Sequence, residues 1–280
     1  MSPEPEMAAA PFGPLVSGEW LAAHLDDVRI VDVRWYLDGR SAAAAYRRGH
    51  LPGAVRLDID TDLSAPATLA DGRHPLPSPE RFAEVLGRVG IAEGQAVVAY
   101  DDAGGSIAAR LWWMLHVLGE PVAVLDGGVA AWPGEVTTEV AHYPSLPRPA
   151  RPWPAGRFVS ADEVASTSAT VIDVRTAARY EHGDPAVDPR PGHIPGALSK
   201  PWAGNLDADT GRLLPPADLR ARFADTAAPV VAYCGSGVTA CHDLLALEVA
   251  GVTDTALYAG SWSQWAGDPE RPAELGSPQS

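Results

Sequence analysis

The sequence predicts an α/β protein of two tandem domains, each a small parallel sheet with helices on both faces. Two observations lead to this prediction. The chain has 280 residues, whereas single domains commonly hold about 100–200, and its second half repeats motifs of the first half in the same order. Within each half, strand-like segments alternate with helix-like ones, which is typical of a parallel sheet covered by helices.

Three motifs occur once in each half of the chain. The first is a β-branched strand that ends in Asp and Arg, the second is a Gly-His-Leu/Ile-Pro-Gly turn, and the third is an apolar strand followed by Asp or Cys. The strand that ends in Asp and Arg occupies residues 28–34 in the first half and 170–175 in the second. The turn occupies 49–54 and 192–197, and the apolar strand with its following Asp or Cys occupies 97–101 and 230–234. Each half is therefore predicted to be one folding unit. Since the turn histidines, His50 and His193, recur in both halves, we interpret them as structural.

A proline-rich segment separates the two halves. Residues 143–154 contain five prolines, which favour an extended, semi-rigid connector over a helix. We therefore place an N-terminal domain at residues 1–142, a linker at 143–157 and a C-terminal domain at 158–280.

The charge of the chain argues against two classes of partner. Its 36 acidic and 21 basic residues give a formal net charge of −15, which repels nucleic-acid phosphates and anionic lipids. No stretch approaches the roughly 20 apolar residues of a membrane span. The N-terminus carries acidic and proline residues where a signal peptide would be basic. We therefore expect a cytoplasmic protein with no nucleic-acid or membrane partner.

Only two cysteines occur, Cys234 and Cys241, too few for a disulfide framework or a zinc site. Cys234 begins a glycine-containing loop, residues 234–240 (CGSGVTA), between a predicted strand and a predicted helix. Ligands bind at this edge of an open α/β sheet, where loop N–H groups and the helix N-terminus stabilise a thiolate or persulfide anion. Cys234 is therefore the candidate nucleophile, whereas Cys241, one turn into the helix, is interpreted as a buried small side chain.

The first half contains an internal control for this interpretation. It has Asp101 at the position that Cys234 occupies in the second half, so the first domain lacks this nucleophile and we expect one active site, in the second domain. The loop residues expected to bind the substrate are Gly235, Gly237, Val238 and Thr239.

The paired Asp-Val-Arg strands, the Gly-His-Leu/Ile-Pro-Gly turns and the Cys-Gly-Ser-Gly-Val-Thr loop resemble those of tandem-domain rhodaneses, from about residue 15 to residue 272. The resemblance implies two rhodanese-like domains and a sulfurtransferase that carries sulfur as a persulfide on Cys234. The loop is most similar to that of 3-mercaptopyruvate sulfurtransferases. The neutral residues after Cys234 agree with this, because the thiosulfate dianion would benefit from a cationic loop.

What the resemblance implies about partners follows from this chemistry. The sulfur donor would be the small molecule 3-mercaptopyruvate, and the acceptor a thiol, cyanide or a thioredoxin-like protein. No metal or organic cofactor is implied, because the cysteine itself carries the transferred atom.

The resemblance also implies a relay of Ser, His and Asp beside the cysteine. Ser236 lies in the loop itself, His74 lies in the segment 73–77 (RHPLP), and Asp60 ends the segment 57–60 (LDID). Such a relay would activate the thiol or deliver a proton to the departing enolate.

Family arginines that bind the substrate carboxylate follow the Asp-Val-Arg strand of the second domain. Arg179 matches the first of them. At the spacing of the second, this chain has Asp188, so Arg190, two residues later, is expected to take its place. Arginine suits this role because it donates two parallel hydrogen bonds to a carboxylate.

Three other functions stay open from the sequence. A thiosulfate sulfurtransferase is the nearest alternative, because rhodanese-type enzymes often accept both donors. A cysteine-dependent phosphatase on a related fold would need an arginine where this chain has Ala240. A non-catalytic module that stores sulfur on Cys234 or senses oxidation would share the same loop.

Overall fold

The computed structural model describes residues 12–276, which form two separate sheets with parallel strands. The strands of the first sheet are β1 (Leu15–Val16), β2 (Arg29–Asp32), β3 (Val55–Arg56), β4 (Val97–Tyr100) and β5 (Val122–Leu125). Those of the second are β6 (Thr170–Asp173), β7 (Leu198–Ser199), β8 (Val230–Tyr233) and β9 (Thr255–Leu257). The strand orders are β1-β5-β4-β2-β3 and β7-β6-β8-β9.

The helices alternate with the strands along the chain. They are α1 (Gly18–Ala23), α2 (Ala42–Arg48), α3 (Pro79–Arg88), α4 (Ala108–His116), α5 (Ala161–Ser166), α6 (Ala177–His182), α7 (Pro216–Arg222), α8 (Ala240–Ala250) and α9 (Ser261–Trp265). Several begin where the sequence offers a hydroxyl as N-cap: the side chains of Ser17, Ser41, Ser78, Ser160 and Thr176 each accept a backbone N–H of the first turn.

The two sheets share one topology, as the repeated motifs predict. Without β1, the first sheet has the order β5-β4-β2-β3, which matches β9-β8-β6-β7 of the second. The register is also the same, since Asp32 pairs with Tyr100 and Asp173 with Tyr233. Both central strands, β4 and β8, are buried at every residue, as expected for parallel strands covered on both faces. The prediction of two tandem α/β domains is confirmed.

The histidines of the repeated turns make the same local contacts in both domains. His50 stacks on Tyr46 with ring centroids 3.8 Å apart, and its Nδ1 lies 2.8 Å from the Tyr46 carbonyl oxygen. His193 stacks on Tyr180 at 3.6 Å, with Nδ1 3.1 Å from the Tyr180 oxygen. These contacts close the turn after α2 and after α6, which gives a structural reason for their recurrence.

The domains are joined through a shared apolar core. Helix α4 of the first domain packs against α8 of the second, and residues of both helices belong to one buried cluster. Most of α8 is buried, including both Cys241 and His242, because it lies between its own sheet and the neighbouring domain. The carboxyl end of β8 therefore faces the first domain across this interface.

Residues 143–157 form neither helix nor strand. The linker is nevertheless held against the first domain, since the Tyr143 hydroxyl donates to the Gly53 carbonyl at 3.0 Å and the Trp153 indole N–H donates to the Pro77 carbonyl at 3.0 Å. Arg148 forms an ion pair with Glu120 in which both side chains are buried. These contacts give the linker a defined path.

Within the described part of the chain, no helix has the length and apolar character needed to cross a bilayer. The acidic N-terminal segment on which the expectation of a cytoplasmic location rests lies outside the described residues.

Candidate active site

Cys234 lies directly after β8 at the start of the loop that leads into α8. Its Sγ accepts hydrogen bonds from the backbone N–H of Gly237 at 3.1 Å and of Ser236 at 3.4 Å. Gly237 has a φ of +78°, and a Cβ there would lie 2.4 Å from the Ala259 carbonyl oxygen. The loop therefore needs glycine at this position to turn its N–H groups toward the sulfur.

The sequence places Cys234 facing a ligand, but the structure leaves only 2% of the residue exposed. Only a small part of Cys234 is therefore open to a donor. Val238 is also buried and packs into the core cluster, while Thr239 is the residue before the first turn of α8. Of the loop N–H groups, those of Ser236 and Gly237 point at the sulfur.

Cys241 is fully buried, and its thiol donates to the Gly237 carbonyl oxygen at 3.4 Å. Burial raises the pKa of the Cys241 thiol to about 12. At neutral pH this residue is therefore an uncharged thiol that supports the loop, and it does not compete with Cys234 as a nucleophile.

The three residues of the expected relay lie in hydrogen-bonding contact across the domain interface. Nδ1 of His74 lies 2.7 Å from the Ser236 hydroxyl, and its Nε2 lies 2.9 Å from Oδ1 of Asp60. The indole N–H of Trp35 donates to both Asp60 oxygens, at 3.0 and 3.1 Å. Asp60 thus holds the imidazole so that Nδ1 points at the loop that contains the cysteine.

Burial is the main cause that lowers the pKa of His74 below its usual value of 6.5, opposed by its hydrogen bond to Asp60 and assisted by the charge of Arg110. The imidazole is therefore neutral at neutral pH. In a neutral ring bonded to a carboxylate through Nε2–H, Nδ1 is the hydrogen-bond acceptor. His74 can then accept a proton from the Ser236 side.

Two guanidinium groups flank the loop at Gly235. A Cβ on Gly235 would lie 2.7 Å from Nη2 of Arg73 and 2.9 Å from Nη2 of Arg179. Asp188 holds Arg179, accepting from its Nε at 3.0 Å and from its Nη2. Nη1 of Arg73 donates to the Val187 carbonyl at 2.7 Å. The absence of a side chain at Gly235 lets both guanidinium groups approach the main chain directly after Cys234.

The structure does not bring Arg190 to this position, so the expectation that it replaces the second family arginine is corrected. Its Nη2 donates to the Arg271 carbonyl at 2.5 Å and to the Asp268 carbonyl at 3.3 Å. These main-chain oxygens lie beyond the end of α9. The hydrogen bonds to them hold the guanidinium over the ring of Trp262. Arg73, together with Arg179, lies beside Gly235.

Sequence reasoning missed three residues that the structure places around the site: Arg73, Trp35 and Arg110. A signal existed for Arg73, because it directly precedes His74 in the segment 73–77. Trp35 follows the Asp-Val-Arg strand of the first domain, and nothing in the sequence distinguishes it from a core tryptophan. Arg110 is the one arginine inside the apolar segment 107–115, which is an unusual position for a charge.

The corresponding loop of the first domain is closed around Asp101. This carboxylate is fully buried, and it accepts four backbone N–H groups, each at 2.8 Å, from Ala103, Gly105, Ile107 and Ala108. The loop has converging N–H groups like those around Cys234, and the Asp101 carboxylate accepts them where the second domain has a sulfur.

We expect Asp101→Ala to lower the free energy of unfolding by about 3–5 kcal/mol, because four buried donors lose a charged acceptor. Urea denaturation followed by circular dichroism measures this loss. The neighbouring Asp102→Ala is the matched control, since that carboxylate is exposed and accepts one hydroxyl from Tyr36. The control should lose no more than about 1 kcal/mol. Equal losses in the two variants would contradict the anion role of Asp101.

Residues 12–276 contain no group of three or more His, Cys, Asp or Glu side chains that could hold a metal ion. The groups assembled at the site are instead a thiol, a hydroxyl, an imidazole, a carboxylate and two guanidinium groups. They are suited to nucleophilic attack by sulfur with proton transfer on a substrate that carries an anionic group.

The chain is similar to several known proteins. The model of the rhodanese-like domain matches residues 17–135 and 160–268. The 3-mercaptopyruvate sulfurtransferase of Escherichia coli is 35% identical over 92% of this chain and 97% of its own length. The human 3-mercaptopyruvate sulfurtransferase is 35% identical over 90% of this chain and 91% of its own. A Mycobacterium tuberculosis protein, SseB, whose name refers to thiosulfate sulfurtransferase, is 38% identical over 90% of this chain and 92% of its own.

Solved structures show the same relationship. The crystal structure of SseA from Escherichia coli, described as a 3-mercaptopyruvate sulfurtransferase with the rhodanese fold, superposes with a TM-score of 0.76 at 33% identity, over 90% of this chain and all of that one. The 3-mercaptopyruvate sulfurtransferase from Leishmania major superposes with a TM-score of 0.79 at 32% identity, over 92% of this chain and 75% of that one.

Proposed function

This chain belongs to the rhodanese family, with two rhodanese-like domains, and on that premise we propose that it is a sulfurtransferase that takes sulfur from 3-mercaptopyruvate through a persulfide on Cys234. The observation that carries the proposal is the position of Cys234. Its sulfur accepts two loop N–H groups, beside a relay from the other domain and two guanidinium groups.

The first half-reaction forms the persulfide. The Cys234 thiolate attacks the sulfur of 3-mercaptopyruvate, a new S–S bond forms, and the C–S bond breaks with its electron pair moving to carbon. The products are the persulfide Cys–S–SH and the enolate of pyruvate. That enolate takes up one proton to become pyruvate. To form the thiolate, the Cys234 thiol passes its proton through the Ser236 hydroxyl to the neutral His74, and the imidazolium returns that proton to the enolate, with Asp60 orienting the ring.

The second half-reaction returns the enzyme to its starting state. An acceptor thiolate attacks the outer sulfur, an S–S bond forms to the acceptor, and the bond to Cys234 breaks with its electrons returning to the cysteine sulfur. The backbone N–H groups of Ser236 and Gly237 stabilise that thiolate as they do the persulfide anion. Cyanide can accept sulfur in the same way. The proposed acceptor is a small thiol or a thioredoxin-like protein. We also propose a cytoplasmic location.

The arginine pair suits the proposed donor. Mercaptopyruvate presents a carboxylate at one end and a sulfur at the other, so Arg73 and Arg179 would hold the carboxylate while the sulfur enters toward Cys234. The pairing of Arg179 with Asp188 fixes the direction of its guanidinium. The nearly complete burial of Cys234 also favours a donor whose sulfur is a slender terminal group.

We expect Arg73→Ala and Arg179→Ala each to raise KM for 3-mercaptopyruvate about ten- to hundredfold, because each removes a charge-assisted contact with the carboxylate. Steady-state kinetics measures the change. Arg190→Ala provides the contrast, since its guanidinium bonds to main-chain oxygens away from the loop. If Arg190→Ala raised KM while Arg73→Ala did not, the assignment of Arg73 would be wrong.

Thiosulfate is the second candidate donor. It is favoured by the two guanidinium groups beside the loop, which suit a dianion, and by the name of the Mycobacterium tuberculosis relative. The deciding experiment incubates the protein with either donor, follows the gain of one sulfur atom on Cys234 by intact mass, and compares kcat/KM. A higher kcat/KM with thiosulfate would overturn the proposed donor. If neither donor added sulfur to Cys234, the sulfurtransferase proposal itself would fail.

A further inference from the structure

Arg110 lies in α4 of the first domain, at the interface with the second. It is fully buried. Among residues 12–276, the other arginines with buried side chains, Arg34, Arg148 and Arg175, form ion pairs with Asp32, Glu120 and Asp173. Arg110 forms no ion pair with a carboxylate of the described residues.

The guanidinium of Arg110 instead contacts the backbone of the active site. Its Nη1 donates to the Gly237 carbonyl at 3.1 Å, in the loop that holds Cys234. Its Nη2 donates to the carbonyls of His74 at 3.1 Å and Leu63 at 3.3 Å. Its Nε is buried without a hydrogen-bond partner in the described structure. One side chain of the first domain therefore joins the nucleophile loop to the relay histidine.

A buried cation without a counter-ion is strongly unfavourable, so an anion should form close to Arg110. Cys241 is not that anion, because burial raises the pKa of its thiol to about 12. His74 carries no negative charge, and Asp60 is largely exposed and already bonded to His74 and Trp35. Gly237, whose carbonyl oxygen accepts from Arg110, donates its N–H to the Cys234 sulfur, so the anion that the proposed reaction forms on Cys234 lies on the same loop residue as the Arg110 contact.

We propose that Arg110 is a positioning residue of the transfer reaction: its buried positive charge stabilises the thiolate and the persulfide anion on Cys234, while its hydrogen bonds hold the loop and His74 together. The charge comes from the domain that lacks the nucleophile. This inference rests on the proposed function, because it needs Cys234 to be anionic. The charged and titratable groups around that sulfur are Arg73 and Arg179 beside Gly235, His74 across the interface, and Cys241 and Arg110 beneath the loop.

The arrangement separates two kinds of positive charge. Arg73 and Arg179 flank Gly235, where the substrate carboxylate would bind, whereas Arg110 contacts Gly237 from the protein interior. Loss of Arg110 should therefore lower kcat and leave KM for 3-mercaptopyruvate nearly unchanged. Loss of Arg73 or Arg179, beside Gly235, should instead raise KM for 3-mercaptopyruvate and leave kcat nearly unchanged.

The test measures the rate at which iodoacetamide alkylates Cys234 as a function of pH, with peptide mapping to exclude Cys241. In Arg110→Met the midpoint of this profile should move upward by about 1 pH unit or more, the effect of losing a nearby opposite charge. At neutral pH kcat should fall about tenfold. Arg110→Lys keeps the charge and should keep the wild-type midpoint. Arg148→Met, which removes a buried arginine paired with Glu120, controls for a general loss of packing.

An unchanged midpoint in folded Arg110→Met, or an equal shift in Arg148→Met, would overturn the inference. Arg110→Gln is the second neutral variant, because it keeps a donor for the carbonyls. If neither neutral variant folds, Arg110→Lys decides, since a midpoint shift of about 1 pH unit in that variant would show that charge is not what matters. Failure of the wild-type protein to gain sulfur on Cys234 would instead refute the proposed function.

Discussion

Replacement of Cys234 by serine is expected to lower kcat/KM for sulfur transfer about 10⁴-fold or more, to the background of the assay. Loss of a covalent nucleophile has effects of this order, and a serine hydroxyl can neither ionise near neutral pH nor form a persulfide. Release of pyruvate from 3-mercaptopyruvate measures the loss, and intact mass of the donor-treated protein shows whether sulfur is added.

Cys241→Ser is the matched control, because it changes the other cysteine of the chain by the same substitution. Cys241 is buried beneath the loop and donates to the Gly237 carbonyl, a bond that a serine hydroxyl can also make. We expect this variant to gain sulfur on Cys234 and to keep most of its activity. Transfer that persisted in Cys234→Ser, or was lost only in Cys241→Ser, would refute the assignment of the nucleophile.

His74→Ala is expected to lower kcat about 10²- to 10⁴-fold, the range usual for a general acid–base group. The reason is that His74 contacts the Ser236 hydroxyl at 2.7 Å and is oriented by Asp60 at 2.9 Å. Steady-state kinetics at saturating 3-mercaptopyruvate measures the effect. If His74→Ala and Ser236→Ala both kept wild-type turnover, the relay would be refuted.

The members of the relay should behave as one unit. Ser236→Ala should fall in the same range as His74→Ala, and the double variant should be little worse than either single one, because removing one member already interrupts the proton path. Strictly additive effects would indicate that the two side chains act independently.

The pH dependence of kcat gives a second test of the role of His74. Burial lowers the pKa of His74 below 6.5, so the neutral ring that accepts a proton persists to more acidic pH than in a free histidine. The acid limb of kcat attributable to His74 should therefore lie below pH 6.5, with activity lost as pH falls through it. His74→Ala should remove this limb. A limb above pH 6.5 that disappears in the variant would contradict a buried neutral imidazole.

The active site is built by both domains, although only the second has the nucleophile. The first domain supplies Asp60, Arg73, His74 and Arg110, and its own loop is closed by Asp101. In the proposed reaction, the second domain would carry the sulfur and side chains of the first domain would surround it from across the interface.

Much of this could be predicted from the chain alone. The repeated strands and turns predict two α/β domains because sheet and helix patterns are determined by neighbouring residues, and the Cys234 loop stands out because the first half has Asp101 in its place. Ser236, His74 and Asp60 were identified by resemblance to a family, not by spacing. The structure then brings His74 to Ser236, 162 positions away in the chain.

The sequence by itself determined the architecture, which is carried by local patterns that occur twice, and it singled out Cys234 as the candidate nucleophile, because the first half has Asp101 in its place. Only the tertiary structure decided that Arg73, rather than Arg190, lies beside Gly235, and that Arg110 lies beneath the loop, 127 positions from Gly237. The physical reason is that a long cationic side chain is directed by whichever acceptors and anions surround it. Those neighbours exist only once the two domains have packed together.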